Sequence, residues 1–225
     1  MSDALTAPGK NERIAEFCAN LDFSLGIPLR RSNQGEVRRF SADGLDLAIK
    51  APRGTGLMKW LRRRALAREF RVYQHLGGLA GFAHCYGLFE DRFLVLEYVH
   101  GENFQRHLLK DAEPFFSDLL HHIQTMHARG VAHGDLKRKS NLRIDLSGKP
   151  VILDLGTAIL RQDNGGWLNH RLFDFARQTD LNAWVKLKHG GYAGVPPHDQ
   201  QYLKRSRLER GLTWIRDRLR SFLGA

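Results

Sequence analysis

The segment of residues 131–156, VAHGDLKRKSNLRIDLSGKPVILDLG, constrains the fold more strongly than any other part of the chain. It contains two apolar stretches, NLRID and PVILDL, joined by the turn sequence LSGK, and this pattern predicts a β-hairpin. A hairpin returns the chain to the edge where it began, so Asp154 is expected beside the loop that carries Asp135 and Asn141. Three oxygen-bearing side chains are therefore predicted to converge.

These three side chains have the chemistry of a phosphoryl-transfer site. Carboxylate and amide oxygens, together with phosphates, are the ligands that Mg²⁺ prefers, so Asn141 and Asp154 are predicted to form a metal pair. Asp135 is left to accept a proton. The order of a base followed by two metal ligands is typical of phosphoryl transfer.

The chain before this segment predicts a small antiparallel sheet and one helix. Residues 27–52 form short alternating pieces separated by the turn sequences SNQG and ADG, which predicts two or three strands. Residues 57–76 carry apolar side chains at helical intervals without Pro or Gly, which predicts a basic helix. Residues 81–90 and 91–101 then predict a pair of strands that turn at Glu90 and Asp91.

Two further helices are predicted nearer the C-terminus. Residues 112–130 have a Pro near their start, regular apolar positions and Gly130 at their end, which predicts the first helix. Residues 180–190 predict the second, with Asp180 capping its start.

The order of these elements predicts an α+β fold class. We expect a single domain over residues 1–225, in which a small antiparallel-sheet N-lobe spans about residues 1–97 and a short, mostly helical C-lobe spans residues 98–225. A connector near residues 97–101 joins the two lobes.

Other residues complete the predicted site. Lys50 ends the apolar strand LDLAIK, where its ammonium is placed to bind the α- and β-phosphates of a nucleotide. Glu69 is the only acidic residue between Asp46 and Glu90, so it is the predicted partner of Lys50. In the connector, the backbone of Glu97 and Val99 is predicted to bind an adenine edge, and Leu96 to line that pocket.

Several of these motifs resemble those of the protein-kinase superfamily. The sequence AIK at residues 48–50 resembles its phosphate-binding lysine strand, HGDLKRKSN at 133–141 its catalytic loop, and DLG at 154–156 its metal-binding motif. The resemblance covers roughly residues 27–160, with the motifs in the expected order.

The resemblance implies an ATP- and Mg²⁺-dependent kinase. It implies that Asp135 acts as the base, that Glu69 orients Lys50, and that Lys137 contacts the γ-phosphate. The Gly after His133, the short second lobe and the basic helix are similar to the atypical bacterial kinases, which include the Kdo and heptose kinases of lipopolysaccharide core and the RIO-type kinases.

The sequence departs from the superfamily pattern in its loops. Asn141 stands six positions after Asp135 instead of five, which indicates an insertion before Asn141 and leaves Ser140 as the weaker ligand candidate. The nucleotide-covering loop RRSNQGEV contains only one glycine, Gly35. Gly134 replaces the usual Arg and no Ala-Pro-Glu follows the DLG, so we expect no control by activation-loop phosphorylation.

The resemblance also gives Asp180 a second interpretation. An Asp in the second lobe of the family braces the catalytic loop from below, and Asp180 is one candidate for that role. Asp174 is its rival.

Composition bears on location and partners. The first twenty residues lack a basic start and an apolar run, no stretch is long enough to span a membrane, and Cys18 and Cys85 have no CxxC partner, so we expect a cytoplasmic protein without disulfides or a zinc site. The net charge of +11 favours an anionic acceptor or surface. No dedicated nucleic-acid site is predicted.

The C-terminal stretch 201–225 has an apolar face among many Arg and Lys residues at helical spacing. One interpretation is a helix that packs on the second lobe. The other is a helix that lies on an anionic membrane, with Trp214 near the boundary, on the inner face of the bacterial inner membrane.

Two classes of function stay open on the sequence. The first is an active kinase whose acceptor is a lipopolysaccharide-core sugar, a protein hydroxyl as in a RIO-like serine/threonine kinase, or a small metabolite; the anionic sugar is favoured by the basic surface. The second is a pseudokinase, a binding module that keeps the fold without turnover.

Overall fold

The computed structural model describes residues 9–31, 35–42 and 44–204. The predicted C-terminal helix lies outside these residues. The N-terminal sheet region consists, in chain order, of α1 (Lys10–Ala19), β1 (Ile27–Arg31), β2 (Glu36–Ala42), β3 (Leu45–Ala51), α2 (Gly56–Leu76), β4 (Cys85–Phe89) and β5 (Phe93–Glu97). The helical C-terminal part consists of β6 (Gly101–Asn103), α3 (Ala112–Ala128), β7 (Val131–Ala132), β8 (Leu142–Asp145), β9 (Pro150–Ile152), β10 (Ile159–Leu160), α4 (Gly166–His189) and α5 (Pro197–Gln200).

The N-terminal region is built on a five-stranded antiparallel sheet in the order β1-β2-β3-β5-β4. Its central strand β3 alternates its side chains between two faces, as strand geometry requires. Leu47 and Ile49 are buried in one apolar cluster, whereas Ala48 and Lys50 line a cavity on the other face. Two or three strands were expected from residues 27–52 and three are present, with β3 directing Lys50 into the cavity.

Helix α1 covers the apolar face of the sheet and was not predicted. Ile14 and Cys18 project from it into the same cluster as Leu47 and Ile49. The helix has only ten residues, and its apolar stripe is short, so the sequence pattern is weak without the sheet against which it packs. The sheet thus has one face for packing and one face for the cavity.

Helix α2 begins at Gly56, close to the predicted start, and packs on the opposite face of the sheet. It buries Leu66, Val72 and Leu76 in a cluster with Leu94 of β5 and Leu155. The packing fixes the height of α2 above the sheet. Glu69 on its inner side is thereby buried next to β3.

The C-terminal part has a core between α3 and α4. Phe116, Leu119 and Ile123 of α3 pack against Trp184 and Val185 of α4. The Trp184 indole N–H donates to the Phe116 carbonyl at 2.8 Å, which satisfies the polar atom of this buried ring.

Helix α4 corrects one prediction. It begins at Gly166, so the expectation that Asp180 caps the start of a helix was wrong. No Pro interrupts residues 167–189, and the aromatic and apolar side chains upstream of Asp180 continue the helix. Asp180 lies within the helix and is fully buried.

The predicted hairpin of residues 141–155 is confirmed as β8 and β9. The two strands pair Leu142 with Ile152, and the Leu153 amide donates to the Asn141 carbonyl at 2.9 Å. The hairpin therefore places Asp154 next to Asn141. Within the described part of the chain, no helix combines the length and the apolar character that crossing a bilayer demands.

Candidate active site

A cavity of about 280 Å³ lies between the sheet and the loops of the C-terminal part. Its lining comes from both parts of the chain. The lining residues are Leu29, Arg30, Val37, Ala48, Lys50, Glu69, Tyr73, Leu96, Tyr98, Val99, Asn103, Ser140, Arg143, Leu153 and Asp154. Five of the predicted site residues are among them: Lys50, Glu69, Leu96, Val99 and Asp154.

Lys50 lies at the centre of a buried charge cluster. Its Nζ is 2.6 Å from Glu69 Oε2 and 3.1 Å from Asp154 Oδ1. Burial disfavours the ammonium, but the two carboxylates outweigh this effect and raise the pKa of Lys50 above its ordinary value. Lys50 therefore carries a fixed positive charge at the cavity wall. The predicted pairing of Lys50 with Glu69 is confirmed.

The two carboxylates around Lys50 differ in their environment. Burial raises the pKa of the Glu69 carboxyl, and the ammonium of Lys50 opposes that shift. Burial also acts to raise the pKa of Asp154, but Lys50 and then Arg30 outweigh it and hold the pKa below its ordinary value. Asp154 thus remains ionised and faces the cavity.

Asp154 has an unusual backbone conformation. Its φ of 61° and ψ of 71° lie in the left-handed region, which few residues other than Gly adopt. Asp154 lies two residues after the end of β9, and its conformation turns the chain into the short 3₁₀ segment Leu155–Thr157. The strained geometry directs the carboxylate at Lys50, in keeping with the concentration of such strain at functional sites.

The loop after β7 carries Asp135 and is braced by Asp180. The Asp180 carboxylate accepts hydrogen bonds from the His133 and Gly134 amides, both at 2.8 Å. Asp174, the rival for this role, is exposed. The second interpretation of Asp180, as a brace of this loop, is therefore the one that the structure supports.

His133 and Gly134 fix the course of the same loop. The His133 ring is buried, and its Nε2 is 2.9 Å from the Leu153 carbonyl, which joins the loop to the residue before Asp154. Gly134 has a φ of +76°, a conformation that an Arg would adopt only with strain. The backbone geometry explains why Gly stands at this position.

Asp135 is partly exposed beside the cavity. Its Oδ2 is 2.9 Å from Arg138 Nε, and its carbonyl accepts from the Asn141 side-chain amide at 3.1 Å. Lys137 follows on the same loop and is half-buried. The Asp135 carboxylate is thus paired with Arg138, and neither Asp135 nor Lys137 is among the residues that line the cavity.

Asn141, and not Ser140, contacts the same arginine side chain as Asp154. Asn141 Oδ1 is 3.0 Å from Arg30 Nη1, and Asp154 Oδ2 is 2.9 Å from the same nitrogen. Asn141 is buried, whereas Ser140 is exposed at the cavity rim. Asn141 is thus the residue of this loop whose side chain lies with Asp154 at one point.

This convergence provides a test of whether the predicted metal pair fits a cation. Asn141 and Asp154 each place one oxygen at hydrogen-bond distance from a single cationic nitrogen, so both oxygens already face one point. Amide and carboxylate oxygens are hard ligands suited to Mg²⁺. The residues present fit a divalent cation.

The adenine end of the predicted site lies at the start of the connector. Leu96 and Val99 line the cavity, and Glu97 is exposed and outside the lining. The Glu97 amide donates to the His84 carbonyl at 2.8 Å, and the Tyr98 amide donates to the Asp46 carbonyl at 2.9 Å. These bonds hold the connector against the sheet.

Two charged cavity residues, Arg30 and Arg143, were missed by sequence reasoning. Arg30 lies in the short strand β1, whose sequence IPLRR gives little indication of which face each side chain occupies. Arg143 alternates with the apolar Leu142 and Ile144, and this period of two would have placed it on the cavity face. Arg143 Nη2 donates to the Gly101 carbonyl at 2.8 Å, and its guanidinium lies over the Tyr98 ring.

Comparisons with known proteins agree with this geometry at a coarse level. No protein-family model matches the chain. The chain is 32% identical over 111 residues to the serine/threonine-protein kinase chk1 of Schizosaccharomyces pombe, an alignment that covers 45% of this chain and 22% of that protein. It thus spans about a fifth of the length of that curated relative.

Two plant proteins show similarity over a shorter stretch. The chain is 36% identical over 77 residues to CBL-interacting serine/threonine-protein kinase 3 of Arabidopsis thaliana, and 38% identical over 77 residues to CBL-interacting protein kinase 31 of Oryza sativa subsp. japonica. Each alignment covers 31% of this chain and 17% of the relative. The chain is therefore similar to serine/threonine protein kinases, and its antiparallel sheet followed by a helical part is consistent with a protein-kinase-like fold.

Proposed function

We propose that the protein is an ATP- and Mg²⁺-dependent phosphotransferase that moves the γ-phosphate of ATP to a hydroxyl acceptor. The observation that carries this proposal is the buried cluster in which Lys50 Nζ lies 2.6 Å from Glu69 and 3.1 Å from Asp154 at the wall of the cavity. The similarity to protein kinases supports the use of ATP and a divalent metal in general terms.

Each residue of the cluster has a distinct part in this proposal. Lys50 binds the nucleotide phosphates, and Glu69 holds its ammonium in place. Asn141 and Asp154 hold Mg²⁺, which when bound neutralises charge on the phosphate oxygens. Asp135 accepts the proton of the acceptor hydroxyl, and Lys137 contacts the γ-phosphate. The backbone of Glu97 and Val99 binds the adenine edge, with Leu96 beside it.

A second candidate function is a binding module without turnover. Two observations favour it: the nucleotide-covering loop has the single glycine Gly35, and Arg30 lies against both predicted metal ligands. The complete set of Lys50, Glu69, Asp135, Asn141 and Asp154 favours the enzyme.

Turnover separates the two candidates. We expect the full chain to hydrolyse or transfer phosphate from ATP in the presence of Mg²⁺, and the Lys50→Met variant to lose that activity. If Mg-ATP raises the melting temperature of the wild-type chain but no acceptor is phosphorylated and no ATP is hydrolysed, the protein is a binding module. If it shows neither, both candidates fail.

The acceptor is proposed to be anionic, with a lipopolysaccharide-core sugar preferred to a protein hydroxyl. The support is electrostatic: residues 47–68 contain no acidic residue, and the net charge is +11. The names of the relatives are those of protein kinases, so a RIO-like protein substrate is equally compatible with the comparisons. Transfer of labelled phosphate from ATP into fractionated bacterial lipid or protein distinguishes the two.

A basic and apolar surface at the start of α2 supports peripheral attachment to an anionic membrane, which we propose is the cytoplasmic face of the bacterial inner membrane. Its large apolar side chains are exposed by 45–70%: Leu57, Met58, Trp60 and Leu61. The cations beside them are Lys59, Arg62, Arg63 and Arg64. At 1.5 Å per residue, this surface lies about 12–18 Å along the helix from Glu69. Attachment would keep the cavity near a lipid-linked acceptor.

Sedimentation with vesicles tests the attachment. The full chain is expected to bind phosphatidylglycerol vesicles at low salt and not phosphatidylcholine vesicles. A variant with Trp60→Ser and Leu61→Ser should lose this binding, whereas a matched variant with Trp167→Ser and Leu168→Ser, exposed on α4, should keep it. A chain truncated after Gln200 shows how much of the vesicle binding depends on the C-terminal stretch 201–225. No binding by the full chain contradicts the proposal.

A further inference from the structure

Arg30 links the sheet to the two predicted metal ligands across the cavity. It lies in β1, and its Nη1 is 2.9 Å from Asp154 Oδ2 and 3.0 Å from Asn141 Oδ1. The neighbouring Arg31 is directed elsewhere, because its Nε is 3.3 Å from Glu36 Oε1 and its side chain is 63% exposed. Arg30 alone of this pair lines the cavity.

Asp154 is therefore paired with two cations, one on each oxygen. Lys50 Nζ contacts Oδ1 and Arg30 Nη1 contacts Oδ2. A divalent cation held by Asn141 and Asp154 needs the same oxygens that Arg30 now contacts. Arg30 and the cation exclude each other, so Arg30 must leave these oxygens when a metal-bound nucleotide enters.

A displaced Arg30 needs another anion, and the phosphates of a nucleotide bound in the same cavity would supply it. Arg30 is on a strand that lines the cavity, and its side chain is 30% exposed, so it is not fixed by surrounding packing. A guanidinium matches two phosphate oxygens with two parallel N–H donors. A short movement thus exchanges carboxylate and amide oxygens for phosphate oxygens.

The single glycine of the covering loop has a structural reason of its own. A Cβ on Gly35 would lie 2.5 Å from the Ala51 carbonyl oxygen, so Gly35 permits close approach of β2 and β3. Gly35 is therefore explained by strand packing and is not evidence for a loop that binds phosphate through its backbone amides. With no other glycine, the loop RRSNQGEV is poorly suited to such binding, and the Arg30 side chain offers a cation that could bind the phosphates instead.

We propose that Arg30 is a phosphate-binding residue that moves from Asp154 and Asn141 to the polyphosphate of the bound nucleotide. The proposal rests on the proposed nucleotide-binding function. In it, Arg30 supplies by charge the phosphate contact that a glycine-rich loop supplies by its backbone. The ligand class is a nucleoside polyphosphate, and a nucleoside without phosphates gains nothing from Arg30.

Binding of ATP and of adenosine, measured by calorimetry with saturating Mg²⁺, tests the proposal. With the metal held by Asp154 and Asn141, Arg30 has left these oxygens, so the loss of Arg30 removes phosphate contacts while the metal still balances the charge of Asp154. Arg30→Gln should weaken ATP binding at least about tenfold, the range expected for hydrogen bonds to a charged group, and leave adenosine binding unchanged. Arg30→Lys should give an intermediate loss, and Arg31→Gln no change.

The outcomes separate this inference from the proposed function. Equal or tighter ATP binding by Arg30→Gln with Mg²⁺ present would show that Arg30 only neutralises Asp154 and competes with the metal, and the inference would be overturned while nucleotide binding stood. A wild-type chain that binds neither ATP nor adenosine would overturn both. Retained adenosine binding shows that a variant is folded, and Arg30→Lys preserves the charge if Arg30→Gln does not fold.

Discussion

The Asp180 carboxylate and the His133 backbone amide are joined by a hydrogen bond of 2.8 Å that ties the middle of α4 to the loop carrying Asp135. The second carboxylate oxygen, Oδ1, accepts from the Gly134 amide at the same distance, and the His127 Nε2 lies 3.1 Å from Oδ2, the oxygen that His133 contacts. Asp180 is fully buried, so water does not compete for these amides. The position of Asp135 thus depends on a residue 45 positions later in the chain.

Asp180→Ala is expected to destabilise the protein strongly. It leaves two buried N–H donors without an acceptor, and each such group costs about 1–3 kcal/mol. We therefore expect the free energy of unfolding to fall by about 2–6 kcal/mol in urea denaturation. Asp180→Asn keeps one acceptor oxygen and should lose less.

Asp174→Ala is the matched control, since Asp174 is exposed on the same helix. Surface changes of this kind usually stay within about 0.5 kcal/mol. Similar small losses at both positions would show that Asp180 does not brace the loop.

Sequence patterns predict those features of the site that are set by residues close together in the chain. The hairpin that returns Asp154 to Asn141 follows from alternation and a turn, and the Lys50–Glu69 pair follows because Glu69 is the only acidic residue between Asp46 and Glu90. Arg30 could not be predicted in this way. Its contact with Asn141 spans 111 positions and depends on the twist and packing of β1, which no local pattern encodes.

Asp180 shows a second limit of local patterns. Asp is a good helix cap, so its position before an apolar stretch predicted a helix start. The tertiary contact with His133 and Gly134 retains it inside a helix instead. The family resemblance offered this role to Asp180 or Asp174, and the contacts with His133 and Gly134 show that Asp180 fills it.

Asp46 is expected to make stability depend on pH in the acid range. It lies on β3, and hydrogen bonds from Arg39 first, then from Ser41 and His100, lower its pKa from 3.8 to about 2. A lowered pKa means that the folded state favours the carboxylate, so its stabilising contribution is complete above about pH 4 and is lost as the pH falls toward 2.

Urea denaturation between pH 5 and pH 2 measures this contribution. Asp46→Asn should be less stable than the wild type at pH 5, and the difference should shrink as the pH falls. Asp174→Asn serves as the exposed control. A difference that stays constant down to pH 2 would mean that the pKa of Asp46 is not lowered by folding.

Asp135→Asn is expected to reduce turnover while nucleotide binding is kept. The amide retains the size of the carboxylate and can still contact Arg138, but it cannot accept the acceptor proton. General-base catalysis typically contributes about 10²–10⁴-fold to the rate, so kcat should fall by that range.

Nucleotide binding distinguishes a base from a residue that only shapes the loop. The Kd for ATP should stay the same in Asp135→Asn while kcat falls. Wild-type turnover in this variant would remove Asp135 from the reaction.

Asp154→Asn is expected to weaken Mg²⁺-dependent ATP binding and to leave adenosine binding unchanged. The substitution keeps the left-handed backbone, because Asn adopts φ values near the observed 61° more readily than most residues. It removes the formal charge from an oxygen that faces the proposed cation. Since even groups outside the ligand shell of a metal contribute about 10–100-fold to its affinity, the loss should be at least about tenfold. Titration of ATP at several Mg²⁺ concentrations measures it, and equal Mg-ATP affinity in the variant and the wild type would contradict the metal role of Asp154.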